Sequence, residues 1–458
     1  MSGRGDAWTE LRALLRLGLP AAGTQLASML LGVVDTMMVG RLSTAALDAA
    51  ALGHLWIYGT MIFGMGLLWG MDPLMSQAHG AGDGPKVART LHAGLLLVAF
   101  LVPPLWWAWA ETETVLLLFG QEPQLAAMAG LYVETQTYSM VPFLLFLAMR
   151  QYLQSRGIVM PALWVVVVAN AFNVVANWAL IFGNAGFEPM GLEGAAMATA
   201  ATRSFTFFGL LGWILLRKLH LGAWVTPTAQ SLSLGSVWEI VKLGLPIGAQ
   251  YMLEGWAFQL STLLSGRLGE TELAAHTIAL NLASLTFMLP MGLSLGTSTR
   301  VGNLVGAMQP TQAERAARLS LAMGAGIMVA SAILFVVGRD ALPYLYTEDI
   351  AVVALCATIL PIAGAFQVFD GVQVVGGAIL RGVGATRPAA VFNLVAYYAL
   401  GLPLGVALTF GLGWGLQGIW TGLAVGLAIV AAILLWWIRT RVSYVPLAGA
   451  DRAAMRRA

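Results

Sequence analysis

The chain has 458 residues, of which 59% are hydrophobic and only 10% charged, against roughly 25% charged residues in soluble domains. The formal net charge of +2 says nothing about nucleic-acid partners, but no basic tract is long enough to hold a nucleic-acid backbone, so none is expected. The one cysteine, Cys356, excludes an intramolecular disulfide and a Cys-rich metal site.

A membrane span needs about 20 mainly apolar residues. In chain order such segments fall at 14-38, 50-72, 91-110, 130-152, 160-183, 191-216, 240-265, 273-298, 317-338, 352-379, 388-410 and 415-438. The N-terminal stretch MSGRGDAWTELRALLRLGLP lacks a short apolar core with a small-residue cleavage site, so it reads as a cytoplasmic lead-in to the first span. Cytoplasmic loops hold an excess of Lys and Arg. The loops on the side of the termini carry Lys86, Arg89, Arg156, Arg217, Lys218, Arg315, Arg318, Arg381 and Arg387, and the tail adds more arginines. The opposite loops carry Arg41, Arg267 and Arg339 among Glu111, Glu113, Glu122, Glu188, Glu270, Glu272, Glu348 and Asp349. Both termini are therefore expected in the cytoplasm, in a multi-pass protein of the plasma (inner) membrane.

The sequence repeats at a shift of 226 residues, which lays Gly18-Leu19-Pro20 on Gly244-Leu245-Pro246, Gly40-Arg41-Leu42 on Gly266-Arg267-Leu268, and Gly80-Ala81 on Gly306-Ala307. The expected fold is an all-α polytopic membrane protein with twelve transmembrane helices in two pseudo-symmetric six-helix bundles. An even number of spans per repeat makes the halves parallel, an arrangement found in transporters that bind cargo near the midplane. Residues 1-220 are expected to form an N-terminal lobe, 221-237 a cytoplasmic linker, 238-440 a C-terminal lobe and 441-458 a cytoplasmic tail. Pro20 and Pro246, equivalent in the repeat, offer points where the first helix of each half can bend.

An ionised side chain at mid-membrane costs at least about 2.5 to 3.5 kcal/mol, so acids there point to function. Glu254 lies mid-span, distant from Lys242 and Arg267, and Asp35 and Asp370 lie within the first and tenth spans. The repeat lays Glu254 on Ser28 and Asp35 on Ser261, so each acid is special to its own half. Gln367 and Gln373 flank Asp370 by three residues on each side. Asn170, Asn173 and Asn177 form a helical stripe in the fifth span, and Thr277, Asn281 and Ser284 another in the eighth. Arg203 is a basic residue inside the sixth span whose partner the sequence does not name. Buried carboxylates in a lined cavity can take up a proton, or bind a hard cation with amide and hydroxyl oxygens. Both uses favour cationic cargo. No phosphate-binding loop, His and carboxylate cluster or ATPase module marks an enzyme, and no cofactor is expected beyond a coupling ion.

Several stretches together, VDTMMVGRLSTAALDAAALG (34–53), SQAHGAGD (76–83), GLPIGAQYMLEG (244–255), AAHTIALNLASLTFMLPMGLSLGTSTRVGNLVGA (274–307) and LRGVGATRP (380–388), resemble the multidrug and toxic compound extrusion (MATE) transporters, particularly their NorM-like branch. The resemblance implies a twelve-helix secondary antiporter that exports small organic cations or drugs across the lipid bilayer in exchange for Na+ or H+. It implies a cation site in the C-terminal lobe at Glu254 and Asp370, which would hold the metal ion if the coupling ion is Na+, accompanied on the eighth helix by Thr277 and Asn281. It implies an N-lobe coupling or substrate site at Asp35, Asn173 and Asn177. The sequence departs from the family pattern at Thr277, where an amide is common, and at Phe366, where relatives carry tyrosine. The chain is expected to act as a monomer. The rival reading is a flippase for a lipid-linked sugar or peptidoglycan precursor, whose phosphates call for cavity Arg or Lys.

Overall fold

The computed structural model describes residues 2–447 except 222, 223, 225, 229 and 230. The expected tail beyond 447, and part of the expected linker 221-237, lie outside the described residues. In the first half the helices are α1 (Ser2–Val39), α2 (Thr44–Trp69), α3 (Met71–Gly80), α4 (Gly84–Ala110), α5 (Thr112–Leu118), α6 (Pro123–Gln136), α7 (Met140–Ser155), α8 (Met160–Phe182) and α9 (Gly191–Leu216). In the second they are α10 (Leu234–Gly266), α11 (Glu270–Gly306), α12 (Pro310–Val337), α13 (Ile350–Val383), α14 (Arg387–Asn393), α15 (Leu402–Val406) and α16 (Leu416–Thr440). Because α10 begins at Leu234, the last residues of the expected linker are helical.

Among the described residues ten helices or near-continuous helix pairs are long and apolar enough to cross a membrane. The expected span 130-152 is instead two helices, α6 and α7, joined by a 3-10 turn at Thr137–Ser139. Pro142, in the first turn of α7, has no N–H to donate to the carbonyl one turn back, so an unbroken helix through this segment would lose a rung. The expected span 240-265 lies inside α10, which carries Glu239, Lys242 and Glu254. Helix ends follow ordinary capping. Ser43 Oγ accepts from Ala46 N at 3.1 Å at the start of α2, and Asp349 Oδ1 accepts from Ala351 N at 2.8 Å at the start of α13.

The chain forms two compact units that do not follow its halves. One comprises Met1–Gly23, Ser76–Gly82 and Ala249–Ala458, the other Thr24–Met75 and Asp83–Gly248. The lobes expected at 1-220 and 238-440 therefore exchange the first turns of α1 and α10, and the tip of α3 joins the C-terminal unit. Small residues explain the exchange. In the C-terminal unit a Cβ added at Gly292 of α11 would fall 2.2 Å from Ala22 N, and in the N-terminal unit one added at Gly66 of α2 would fall 2.1 Å from Gly248 Cα. These are the same contact under the repeat: Gly66 corresponds to Gly292, and Ala22 to Gly248. Backbone thus meets backbone, and only glycine on the facing helix permits it. The unit boundaries cut α1 and α10 just after Pro20 and Pro246, and both helices run on through these prolines.

A side chain at Gly292 must push these helices apart, which costs about 1–3 kcal/mol by overpacking. Gly292→Val is expected to lower the melting temperature of the purified protein. Gly326→Ala, where a Cβ meets nothing within 4 Å, should leave it unchanged or raise it, since alanine is the better helix former.

In the C-terminal unit Arg300 and Glu10 make a forked pair, with Nε to Oε2 at 2.9 Å and NH2 to Oε1 at 2.5 Å. The short charge-assisted bonds tie the start of α1 to α11. Two apolar clusters fill this unit, one around Val375, Leu380 and Val430, the other around Ile359, Phe366, Tyr397 and Trp420.

Candidate functional site

In the N-terminal unit α1 delivers Asp35 to a polar seam between α8 and α9. Asp35 is buried, and Asn173 and Asn177 are fully buried. Asn177 Nδ2 donates to Asp35 Oδ1 at 2.6 Å, and Thr199 Oγ1 donates to Oδ2 at 2.8 Å. Asn177 Nδ2 also donates to Asn173 Oδ1 at 3.0 Å, and Asn173 Nδ2 to Thr202 Oγ1 at 3.3 Å. The three predicted residues are thus brought together. The sequence reading missed Thr199 and Thr202, which lie one turn apart on α9 and could have been found as a polar stripe in the sixth span. Asn170, from the same stripe as Asn173 and Asn177, does not join them; its Nδ2 donates to the backbone carbonyl of Ala27 at 2.9 Å.

Arg203 now has partners. Its NH1 donates to Ser139 Oγ at 3.3 Å, and its guanidinium lies 5.4 Å from the centre of the Phe143 ring. It lies within electrostatic reach of Asp35 and Tyr132.

In the C-terminal unit α10 and α13 bring Glu254 and Asp370 together. Both are buried, Asp370 lies within electrostatic reach of Glu254, and neither has an ion-pair partner among the described residues. Gln373 Nε2 donates to Glu254 Oε2 at 3.2 Å and to Asn393 Oδ1 at 3.3 Å. Asp370 Oδ1, Gln373 Oε1, Asn393 Nδ2 and the Tyr397 hydroxyl are buried without a hydrogen-bond partner. Tyr397 lies within reach of both acids, on a π-helical stretch at Leu394–Gly401. Such widened turns recur at functional sites. Tyr398, on the same stretch, anchors it by donating from its hydroxyl to the carbonyl of Leu253 at 2.9 Å. The signal for Tyr397 was absent from the sequence, because nothing local marks a π turn in an apolar span; Asn393 ends α14 just before that turn.

Two predicted members of this site make no hydrogen bond to either acid among the described residues. Thr277 and Asn281 are exposed on α11, and the Thr277 hydroxyl donates to the carbonyl of Leu273 in its own helix at 2.8 Å. They lie one turn apart on one stripe, while the stripe of α11 that faces the core carries His276, Ala279 and Ala283. Gln367, on the other side of Asp370, belongs to a separate network in which Ser331 Oγ donates to its Oε1 at 2.6 Å and its amide donates to Thr286 and to the carbonyl of Ala283.

The donor set at Glu254 and Asp370 is all oxygen, and among the described residues no group of three His, Cys, Asp or Glu could hold a metal. Two carboxylates and an unpaired amide carbonyl suit a hard cation or a proton.

A family model described as MatE matches residues 20–179 and 246–407, two stretches that begin at the repeat-related Pro20 and Pro246. The chain belongs to the MatE family. Among its relatives is the probable multidrug resistance protein NorM of Mesorhizobium japonicum, 34% identical over 451 residues and covering 95% of each chain. Multidrug and toxin extrusion protein 1 of Mus musculus is 32% identical over 409 residues, 88% of this chain and 70% of that protein. The crystal structure of AtDTX14, a eukaryotic MATE transporter, superposes with a TM-score of 0.87 at 24% identity, covering 96% of this chain and 97% of that one. The Vibrio cholerae MATE transporter VcmN gives 0.86 at 17% identity over 95% of this chain and 97% of that one. Twelve helices in two bundles agree with this fold, and members of the MatE family are multi-pass membrane transporters rather than enzymes.

Proposed function

We propose that the protein is a secondary multidrug efflux antiporter that exports cationic or amphipathic organic compounds in exchange for Na+ or H+. The observation that carries this reading is the pair of buried acids Glu254 and Asp370, held with no basic partner on two facing helices. A site with surplus negative charge in low dielectric must take up a cation, and whichever cation arrives first excludes the other. Asp35, with Asn173 and Asn177, supplies a second site of the same sign in the other unit, for coupling or for substrate. Pro20 and Pro246 stand where α1 and α10 pass from one compact unit to the other, which suits them to be the bending points. The names of the relatives, multidrug resistance and multidrug and toxin extrusion, support the cargo class.

The flippase alternative needs a free cation for phosphate. Arg203, its best residue, is already engaged by Ser139, the Phe143 face and the field of Asp35. The protein acts as a monomer in the inner membrane with both termini in the cytoplasm, the side on which the Lys and Arg excess lies.

Cells that lack their own efflux pumps should accumulate less ethidium when they express this chain. Equal accumulation with and without it, at confirmed membrane expression, would contradict the reading.

A further inference from the structure

We infer that Gln373, held in place by Asn393, is a third oxygen donor of the coupling-ion site, an inference that rests on the antiport reading of Glu254 and Asp370. An ionised carboxylate only accepts hydrogen bonds, so Glu254 Oε2 fixes which end of the Gln373 amide turns toward it. Asn393 Oδ1 takes the second N–H of the same nitrogen. Both donors of the amide are then used, and its orientation is set from two sides. The carbonyl Oε1 is left pointing elsewhere, with no partner, on a side chain 1% exposed.

A buried unpaired carbonyl is destabilising unless something occupies it in the working cycle. Asp370 Oδ1, three residues earlier on α13 and so on the same helix face, is also buried and unpaired. Two bare acceptors on one face, beside a second carboxylate, make a built set of oxygens rather than a packing fault. A Na+ ion would take both as ligands. A proton carried on Asp370 would let its O–H donate to Gln373. Asn393 touches neither ion; it is a positioning residue that acts through Gln373.

The test uses the purified full chain with bound ethidium and needs no turnover. Na+ at alkaline pH, and H+ in Na+-free buffer, are titrated to displace the dye. In Gln373→Met the half-displacing concentration of the effective cation, normalised to each variant's own ethidium affinity measured without that cation, should rise about tenfold, the scale of one lost bond to a charged group. Asn393→Leu should shift it in the same direction by less, and the double variant by no more than Gln373→Met alone, as expected for residues acting in series. Displacement in Gln373→Met equal to the parent, or full additivity in the double variant, overturns the inference. If Gln373→Met does not fold, Asn393→Leu decides: an unchanged titration overturns it. Glu254→Gln separates the two levels. Should it displace like the parent, the reading of the two acids as the coupling-ion site itself fails; should it lose displacement while Gln373→Met keeps it, only the role of Gln373 fails.

Discussion

Asp370→Asn and Glu254→Gln are each expected to bring ethidium efflux down to the level of cells without the protein, while the folded protein keeps or gains thermal stability. The two halves of that result have one cause. A buried carboxylate without an ion-pair partner is carried at a cost of at least about 2.5 to 3.5 kcal/mol on insertion scales, and neither acid has such a partner among the described residues. Asp370 Oδ1 has no hydrogen bond to lose, and in Glu254→Gln an amide can turn its oxygen to accept from Gln373. Neutral isosteres therefore relieve strain that the native chain tolerates. Activity lost with stability gained marks residues kept for function. Retained efflux in both variants would remove the C-terminal acids from the transport cycle, and a large fall in melting temperature would make them structural.

Asp35 should behave differently, and the contrast is a second large effect. Its two oxygens accept from Asn177 and Thr199, so Asp35→Leu strands one N–H of the buried Asn177 amide, whose other N–H bonds Asn173, at about 1–3 kcal/mol, and leaves an apolar side chain in a cavity lined by polar groups. That variant should be poorly expressed or melt several degrees lower. Asp35→Asn can keep the network, because its carbonyl accepts from Asn177 and its amide donates to the Thr199 hydroxyl. Thr199 already has the carbonyl of Ala195 at 3.1 Å as an alternative acceptor for its own proton. Asp35→Asn should therefore fold like the parent and lose transport with the charge. Thermal melts of purified Asp35→Leu and Asp35→Asn, alongside ethidium efflux, check both parts. Equal melting of the two would mean that the hydrogen bonds to Asp35 carry little of the fold.

Much of this was legible in the sequence because the bilayer leaves few options. Apolar stretches gave the helices, the 226-residue shift gave the two-fold repeat, and acids inside spans announced Asp35, Glu254 and Asp370 by their cost. What stayed hidden depends on which face of a helix turns inward. Thr277 and Asn281 had the right spacing, but His276 and its stripe took the buried side. Thr199 and Thr202 looked like the many threonines that bond only to their own helix; both do bond it, but each also reaches across to the Asp35 network. Asn393 was missed because its partner, Gln373, lies on another helix. The exchange of first turns between the compact units could not be read from either repeat alone, since Gly66 and Gly292 declare themselves only once the opposing backbone is in place.

The central claim is exchange of organic cation for Na+ or H+, and purified protein in liposomes tests it most directly. Ethidium release should be driven by an imposed Na+ gradient or an imposed pH gradient, and should vanish with either when Glu254 and Asp370 are both neutralised. Release that neither gradient drives, or that survives the loss of both acids, would contradict the account.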